Sequence, residues 1–166
     1  MLIVRPEHAG DRAGIHAVEA ACFPTSAEAQ LVDSLRDAGR LLLSLVAERD
    51  GVLIGHVAFS PVSVEAGAMA AALRPLAVLE GQRRQGVGAR LVEDGLAACR
   101  AAGFGWVVVL GDPVYYARFG FQPAAALGLS DEYGGGVAFQ VLELAADALP
   151  VGAGLVKYAP EFAAVA

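Results

Sequence analysis

One stretch of the chain, residues 71–110, constrains the fold more than any other. It begins with an apolar run over residues 71–79 and continues through a turn of glycines and arginines over residues 81–88. Residues 85–102 then show a helical pattern, because apolar residues fill one half of the helix circumference and charged residues the other. Residues 106–110 are apolar and mostly β-branched, which is typical of a strand buried on both faces. Strand, turn, helix and strand in this order form a crossover unit with two parallel, adjacent strands.

The chain ahead of this unit predicts helices followed by antiparallel strands. In chain order, the elements are a strand over residues 2–5, a helix capped by Asp11, a helix over residues 28–38 that ends at Gly39, and strands over residues 41–49 and 52–60. Apolar runs on both sides of Asp50-Gly51 are a strong hairpin signal. The run over residues 71–79 follows the short segment 63–67, so it extends the hairpin into a meander.

Beyond residue 110 the pattern becomes less regular. We expect a short helix carrying residues 115–119, a polar and glycine-rich loop over residues 124–136, and a last strong strand over residues 138–144. The fold class that follows is α/β (α+β), with a mixed sheet in which antiparallel strands lead into one parallel pair. The length of 166 residues suits a single domain over residues 1–166.

Charge and composition exclude several classes of function. The formal net charge is -6, whereas a general nucleic-acid binder needs a basic surface against the phosphate backbone. No apolar run reaches the roughly 20 residues that a membrane span needs, and the N-terminus shows no export signal. Cys22 and Cys99 lie on predicted apolar helix faces, which favours reduced buried thiols over a disulfide or a metal site. We therefore expect a cytoplasmic protein that binds neither nucleic acid nor membrane.

The turn ahead of the long helix has the features of a local anion site. Arg83 and Arg84 lie in a stretch, residues 81–92, that has no acidic residue, although the chain as a whole is acidic. The first amides of a helix are unpaired, and the helix dipole places a partial positive charge there. Gly86 and Gly88 have no side chains, so a phosphate oxygen can approach the backbone closely. A pyrophosphate can bind such a turn; the alternative is a tight turn whose glycines only let the helix begin.

Two other glycine-rich phosphate loops do not fit this turn. It has no Gly-Lys-Ser/Thr sequence, which argues against a nucleoside triphosphatase. It also has no third glycine, and no acidic residue follows at the distance that a dinucleotide-binding unit needs. The turn therefore has to be compared with other phosphate-binding families.

Two motifs resemble those of the GNAT superfamily of N-acetyltransferases. Arg83-x-x-Gly86-x-Gly88 is similar to the family signature (Gln/Arg)-x-x-Gly-x-(Gly/Ala), and it has the same place between a strand and a long helix. The run Tyr-Ala-Arg-Phe-Gly-Phe that begins at Tyr116 resembles the family's Tyr-x-x-x-Gly-Phe segment. Both motifs occur in the family's order, and the resemblance covers essentially the whole chain. The second run, preceded by Gly-Asp-Pro, resembles a little characterised bacterial branch of predicted acetyltransferases.

The resemblance implies a centrally splayed mixed sheet flanked by helices, with acetyl-coenzyme A (acetyl-CoA) as cosubstrate and no metal. The main-chain amides that would hold the pyrophosphate are those of Arg84, Gln85, Gly86, Val87, Gly88 and Ala89, and Arg83 would add charge. Backbone groups of Leu76, Ala77 and Val78 would pair with the pantetheine arm in the cleft between the parallel strands. A homodimer is compatible with the resemblance, because C-terminal strands often pair between subunits in such folds.

The resemblance also implies a catalytic role for Tyr116, which would bind the cofactor as well. A neutral amine attacks the thioester directly, and the Tyr116 hydroxyl donates a proton to the leaving thiolate, without a covalent enzyme intermediate. A buried tyrosine can instead anchor a helix through one hydrogen bond. Tyr115 is the second candidate for the proton donor.

The general base stays open at this point. Many relatives have an asparagine after the buried strand, where this chain has Gly111-Asp112-Pro113. Asp112 is most simply an N-cap before a proline at the first helical position, and a role as base is the alternative. Glu80, at the end of a strand that faces the cleft, is a second candidate base.

Other polar residues carry weaker signals. Glu28, Asp131 and Glu132 could line an acceptor pocket and attract a cationic amine, but solvated loop charges are the interpretation we favour. The histidines do not cluster at ligand spacing and are interpreted as structural or surface residues: His8, His16 and His56.

The sequence therefore predicts an N-acetyltransferase that moves the acetyl group of acetyl-CoA onto a primary amine of an unidentified acceptor. A hypothesis of another class is a binding module, in which a degenerate domain senses acyl-CoA and regulates a partner without turnover. Retention of both the phosphate loop and Tyr116 favours the enzyme.

Overall fold

Residues 1–64, 69–149 and 154–165 are described by the computed structural model. The α-helices are α1 (Arg12–Cys22), α2 (Ala27–Asp37), α3 (Val87–Ala101) and α4 (Pro113–Ala117). The strands are β1 (Leu2–Pro6), β2 (Leu43–Arg49), β3 (Val52–Ser63), β4 (Ala70–Val78), β5 (Trp106–Leu110), β6 (Gln122–Pro123), β7 (Leu129–Asp131), β8 (Phe139–Glu143) and β9 (Gly154–Tyr158). The expected mixed α/β fold is confirmed.

The main sheet has the strand order β1-β2-β3-β4-β5-β8-β6. Strands β1 to β4 pair antiparallel as a meander, and β4 pairs in parallel with β5, as the crossover through α3 predicts. The parallel pairing runs from Ala70 opposite Trp106 to Leu73 opposite Val109 and ends there, although β4 continues to Val78. The two strands therefore separate beyond Leu73, and the sheet is splayed at its centre.

The turns between elements follow from residues that tolerate a left-handed backbone. Asp50 and Gly51 have φ angles of 52° and 81°, so both central residues of the predicted hairpin are left-handed. This conformation matches the twist of the two strands that it joins. The hairpin between β2 and β3 is confirmed, with Arg49 opposite Val52.

Alternate residues of β5 face two different layers of core. Val107 and Val109 belong to the cluster that includes the apolar face of α3. Trp106 and Val108 belong to a second cluster, which includes residues of α2 and of the C-terminal strand β9. All four side chains are buried, which confirms that this strand is covered on both faces.

Helix α3 packs unusually close to strand β3. A Cβ atom built on Gly95, in the middle of α3, would lie 2.5 Å from Cε2 of the Phe59 ring. No real Cβ contact is that short, so only glycine lets the helix and the aromatic ring approach to this distance. Phe59 lies in the cluster beneath the helix and Gly95 is buried against it, so the helix axis is held at a short distance from the sheet.

The prediction for the region beyond residue 120 is wrong in part. Residues 124–136 were expected to form a loop, yet Leu129–Asp131 is strand β7, which pairs in parallel with β9. Strand β9 itself follows the strand expected to be the last, and it also pairs with the end of β3 through Val62 and Tyr158. Both strands are too short to show a period in the sequence, and long-range pairing stabilises them.

Three smaller expectations concern the ends of elements. Asp11 does not cap α1 with its side chain; its carboxylate accepts a hydrogen bond from the amide of His8 at 2.6 Å and pairs with Arg5 at 2.7 Å. Helix α4 begins at Pro113, ahead of the range expected for it. The connection expected over residues 63–67 lies mostly outside the described residues.

Both cysteines are free thiols, but only one has the burial that was predicted for both, because Cys22 is half-buried and lines the groove described below. Cys99 is buried in the face of α3, and burial raises its pKa to about 12. Of the helices in residues 1–64, 69–149 and 154–165, none has both the length and the apolar character that a membrane span requires.

Candidate functional site

A groove of about 400 Å³ opens where β4 and β5 separate. Its walls come from the end of α1, the second half of β4, the turn before α3, and α4. The residues predicted to bind the cofactor all line it except Gln85 and Tyr116: Leu76, Ala77, Val78, Arg83, Arg84, Gly86, Val87, Gly88 and Ala89. The fold thus brings two separate sequence segments to one groove.

The turn ahead of α3 presents main-chain nitrogens without partners. The amides of residues 84–89 donate no hydrogen bond to any group in the described ranges. Gly86 is left-handed with φ of 80° at the N-cap position of α3, and Arg84 is left-handed with φ of 63°. Successive amides in such a turn form a concave anion site, and the dipole of the fifteen-residue helix α3 adds positive potential.

The two arginines of the turn have different surroundings. The Nε of Arg83 donates to the carbonyl oxygen of Val78 at 2.9 Å, so this side chain crosses from the turn back to β4. Arg84 lines the groove, and no carboxylate of the described residues lies within ion-pair distance of it. Arg84 is therefore the freer positive charge for an anionic ligand.

Helix α4 closes the groove opposite the turn. The Tyr115 hydroxyl lies 3.0 Å from the position that a Cβ atom on Gly88 would take, so Gly88 allows a close approach between the turn and α4. The Arg118 guanidinium lies 4.4 Å from the centre of the Tyr115 ring and also lines the groove. Arg118 was not identified from the sequence as a groove residue, although its position one helical turn after Tyr115 places the two side chains on the same side of the helix.

A second cavity of about 340 Å³ adjoins this groove, and the two share Phe23 and Leu76 in their walls. Its other walls include Glu28 from α2, Arg74 from β4 and Tyr116 from α4. A connected cavity of this kind can hold a second small molecule beside the groove.

Tyr116 is held in the second cavity by aromatic packing. Its ring contacts those of Tyr115 and Phe121 edge to face, with centroid distances of 5.0 Å and 5.7 Å. A Cβ atom on Gly111 would lie 2.5 Å from the Tyr116 ring, so the glycine after β5 makes room for it. The hydroxyl makes no hydrogen bond with a described residue, and burial raises the pKa of Tyr116. The phenol is therefore protonated at neutral pH.

The candidate bases have different surroundings in the structure. Asp112 caps α4, because its carboxylate accepts a hydrogen bond from the Val114 amide at 2.9 Å with Pro113 at the first helical position. Glu80 is exposed on the short 3-10 turn Glu80–Gln82 and lines neither cavity. Glu28 lies in the first turn of α2 and lines the second cavity.

The remaining acidic candidates stabilise local structure. Asp131 accepts a hydrogen bond from the Gly135 amide at 2.6 Å, and Glu132 accepts one from the Tyr158 amide at 2.7 Å. Asp131 is buried, whereas Glu132 is exposed, and neither lines the groove or the second cavity.

The histidines are dispersed, as the sequence indicated. His16 lies 2.8 Å from Asp33, and His56 is fully buried between Glu19 and Ser44. Within the ranges that the structure covers, no three His, Cys, Asp or Glu side chains are grouped so that they could hold a metal ion.

Comparison with known proteins gives consistent matches over most of the chain. The model of the acetyltransferase (GNAT) family matches residues 12–121. An uncharacterized N-acetyltransferase of Escherichia coli K12, YhbS, is 44% identical over 164 residues, which are 97% of this chain and 98% of YhbS.

Two solved structures match at nearly full length. The crystal structure of E. coli YhbS in complex with CoA has a TM-score of 0.92 and 43% identity, covering 98% of this chain and 92% of that one. A GNAT family acetyltransferase from Brucella melitensis, in complex with acetyl-CoA, has a TM-score of 0.81 and 36% identity, with 98% of both chains covered. Both the sequence and the fold of this chain are therefore similar to those of proteins that bind this type of ligand.

Proposed function

Because the chain belongs to the GNAT family of acetyltransferases, we propose that it transfers the acetyl group of acetyl-CoA to a primary amine, which attacks the thioester directly. The single observation that carries this proposal is the row of unpartnered amides over residues 84–89 at the start of α3. The first amides of any helix lack partners within it; here the row extends back into the turn as far as Arg84, and all of these residues except Gln85 line the groove, so a ligand there can supply the acceptors. A pyrophosphate has the charge and the oxygens to do so.

The exposed edge of β4 supports the same ligand. Leu76, Ala77 and Val78 pair with β3 on one side, but β5 has already ended its pairing at Leu73 on the other. Their outer backbone groups therefore face the groove without a strand partner. The amides of a pantetheine arm can pair with such an edge as an added strand does.

The pantetheine arm would run from the turn toward the second cavity, where Tyr116 lies. There the Tyr116 hydroxyl would donate a proton to the thiolate as it leaves. One observation supports this role over an anchoring role: the hydroxyl has no hydrogen-bond partner in the described chain.

The proposal is tested by measuring CoA release with a thiol reagent while a panel of amines is offered with acetyl-CoA. The panel covers polyamines, amino acids, aminoglycosides and short peptides with free N-termini. We expect at least one amine to raise the release rate well above the rate without acceptor, with an acetylated product of matching mass. Tight CoA binding by calorimetry without any acceptor-dependent release would instead support the sensor hypothesis.

Three further expectations from the sequence stay predictions: the single domain, the cytoplasmic location and the homodimer.

A further inference from the structure

A chain of buried polar side chains runs through the core and takes no part in the proposed mechanism so far. Glu19 on α1 lies 2.7 Å from Nδ1 of His56 on β3, and Nε2 of His56 lies 2.8 Å from the Ser44 hydroxyl on β2. Glu19 and His56 are both 0% exposed. Burying two ionisable groups costs free energy, which the hydrogen bonds within this chain offset in part.

Glu28 on α2 lines the second cavity, and α2 packs against α1, the helix that carries Glu19. The Oε2 atoms of Glu19 and Glu28 are both shielded from solvent, and neither has a hydrogen-bond partner among residues 1–64, 69–149 and 154–165. Burial raises the pKa of Glu19, the hydrogen bond from His56 opposes this effect, and the charge of Glu28 adds to it. The two carboxylates are therefore electrostatic neighbours, one inside the core and one on the cavity wall.

No cation neutralises Glu28 in the described structure. It forms no ion pair there, and Arg74, the cation on the same cavity wall, lies 5.8 Å from the centre of the Phe162 ring and forms none either. The other ionisable groups around it are Glu19 on α1 and Tyr116 on α4. The cavity wall therefore holds a carboxylate that forms no ion pair and the phenol that would donate a proton, together with Arg74.

We propose that Glu28 binds the acceptor amine as its ammonium ion and removes the proton that must leave before attack. This inference rests on the proposed function and supplies the general base that sequence analysis left open. It also narrows the acceptor to a cationic primary amine small or slender enough to reach a cavity of about 340 Å³.

Each proton that moves in the reaction has a donor and an acceptor among the substrates, Glu28, Tyr116 and solvent. An N–H bond of the ammonium breaks and an O–H bond forms on Glu28, and the freed nitrogen lone pair attacks the acetyl carbonyl carbon. The C–S bond then breaks, and sulfur takes the Tyr116 proton. The new amide nitrogen gives its excess proton to the Tyr116 oxygen, and Glu28 releases its proton to solvent. The net products are an acetamide, CoA thiol and one proton.

The test compares Glu28→Gln with the wild type on two probe amines of similar size, ethylamine and trifluoroethylamine. Ethylamine is protonated at neutral pH and needs a base, whereas trifluoroethylamine is largely unprotonated and does not. We expect kcat/KM for ethylamine to fall roughly a hundredfold and that for trifluoroethylamine to change less than about threefold, with CoA affinity unchanged. Asp37→Asn is the matched control, because it removes a carboxylate from the exposed far end of the same helix.

The outcomes are distinguishable. Unchanged kcat/KM for ethylamine in Glu28→Gln overturns the role of Glu28, and an equal loss with both amines overturns its role as proton acceptor. If the wild type binds CoA but acetylates neither these probes nor any amine of the panel, the proposed function itself fails and the inference with it.

Discussion

The two halves of the cleft are built in different ways. The groove at the start of α3 offers main-chain nitrogens, whose positions depend on backbone angles at residues such as Gly86. The second cavity offers side chains that come from different elements, among them Glu28 and Tyr116. The main-chain contacts of the groove can therefore be removed only by changing the course of the backbone or by filling the space, whereas the cavity can be changed one functional group at a time.

The largest effect that this comparison predicts comes from filling the groove. Gly88→Val adds a side chain where the Tyr115 hydroxyl lies 3.0 Å from the Cβ position, so the turn can no longer approach a ligand closely. We expect CoA affinity by calorimetry to fall roughly a hundredfold, about 2.7 kcal/mol. Gly81→Val is the control, because nothing lies within 4 Å of its Cβ position and it does not line the groove. Equal CoA affinities for Gly88→Val and Gly81→Val would contradict the proposal that the groove binds the ligand through its main chain.

The next effect concerns one functional group of the cavity. Tyr116→Phe keeps the aromatic packing and removes the hydroxyl, so we expect turnover to fall at least roughly tenfold with CoA affinity nearly unchanged. Steady-state kinetics with the best amine of the panel, together with calorimetry, measure the two quantities separately. Wild-type turnover in this variant would remove the catalytic assignment.

A smaller effect is expected in the pH dependence. An ordinary tyrosine loses half of its protonated form at pH of about 10, whereas burial, with a smaller addition from Tyr115, raises the pKa of Tyr116 above that. The proton-donating form therefore persists, and kcat should not fall between pH 9 and about 10. A twofold decrease over this interval, in enzyme that stays folded by circular dichroism, would contradict the prediction.

CoA affinity at the groove should depend on pH only through the ligand's own phosphates, because main-chain amides do not titrate in this pH range.

The smallest effect is expected at the neighbouring tyrosine. Tyr115 lies in the groove rather than in the second cavity, and its hydroxyl packs near Gly88. Tyr115→Phe should leave turnover within about twofold of wild type and change CoA affinity by no more than the loss of one neutral hydrogen bond, about 1 kcal/mol. If turnover fell tenfold here and not in Tyr116→Phe, the two assignments would have to be exchanged.

Most of the fold was predictable because its signals are local. The hairpin around Asp50, the crossover through α3 and the buried strand β5 each have a turn residue or an apolar period that identifies them. Strands β7 and β9 have neither. They exist because β9 reaches the end of β3, far away in sequence, and a pattern within a few residues does not contain that contact.

The candidate site likewise has one part with local signals in the sequence, the turn, and one part that depends on tertiary packing, the second cavity. The turn could be located from glycines and arginines, because backbone conformation and charge are encoded where they act. The cavity could be located only in part: Tyr116 was identified from its motif, whereas Glu28, though considered for an acceptor pocket, looks like an ordinary helix charge until α2 is packed beside α1. Its neighbour Glu19 looks like part of an amphipathic helix, and only the tertiary structure shows that it is 0% exposed beside His56.

The close contact at Gly95 has a consequence for the chemistry at the far end of its helix. Gly95 lies eight residues, or about 12 Å, beyond the start of α3, yet it sets how near the whole helix rests to β3. Even one added methyl group there has to displace helix α3 from the Phe59 ring, and the main-chain nitrogens at the start of α3 move with the helix. Sequence changes deep in the interior can thus weaken capture of the donor without touching a single atom that meets it.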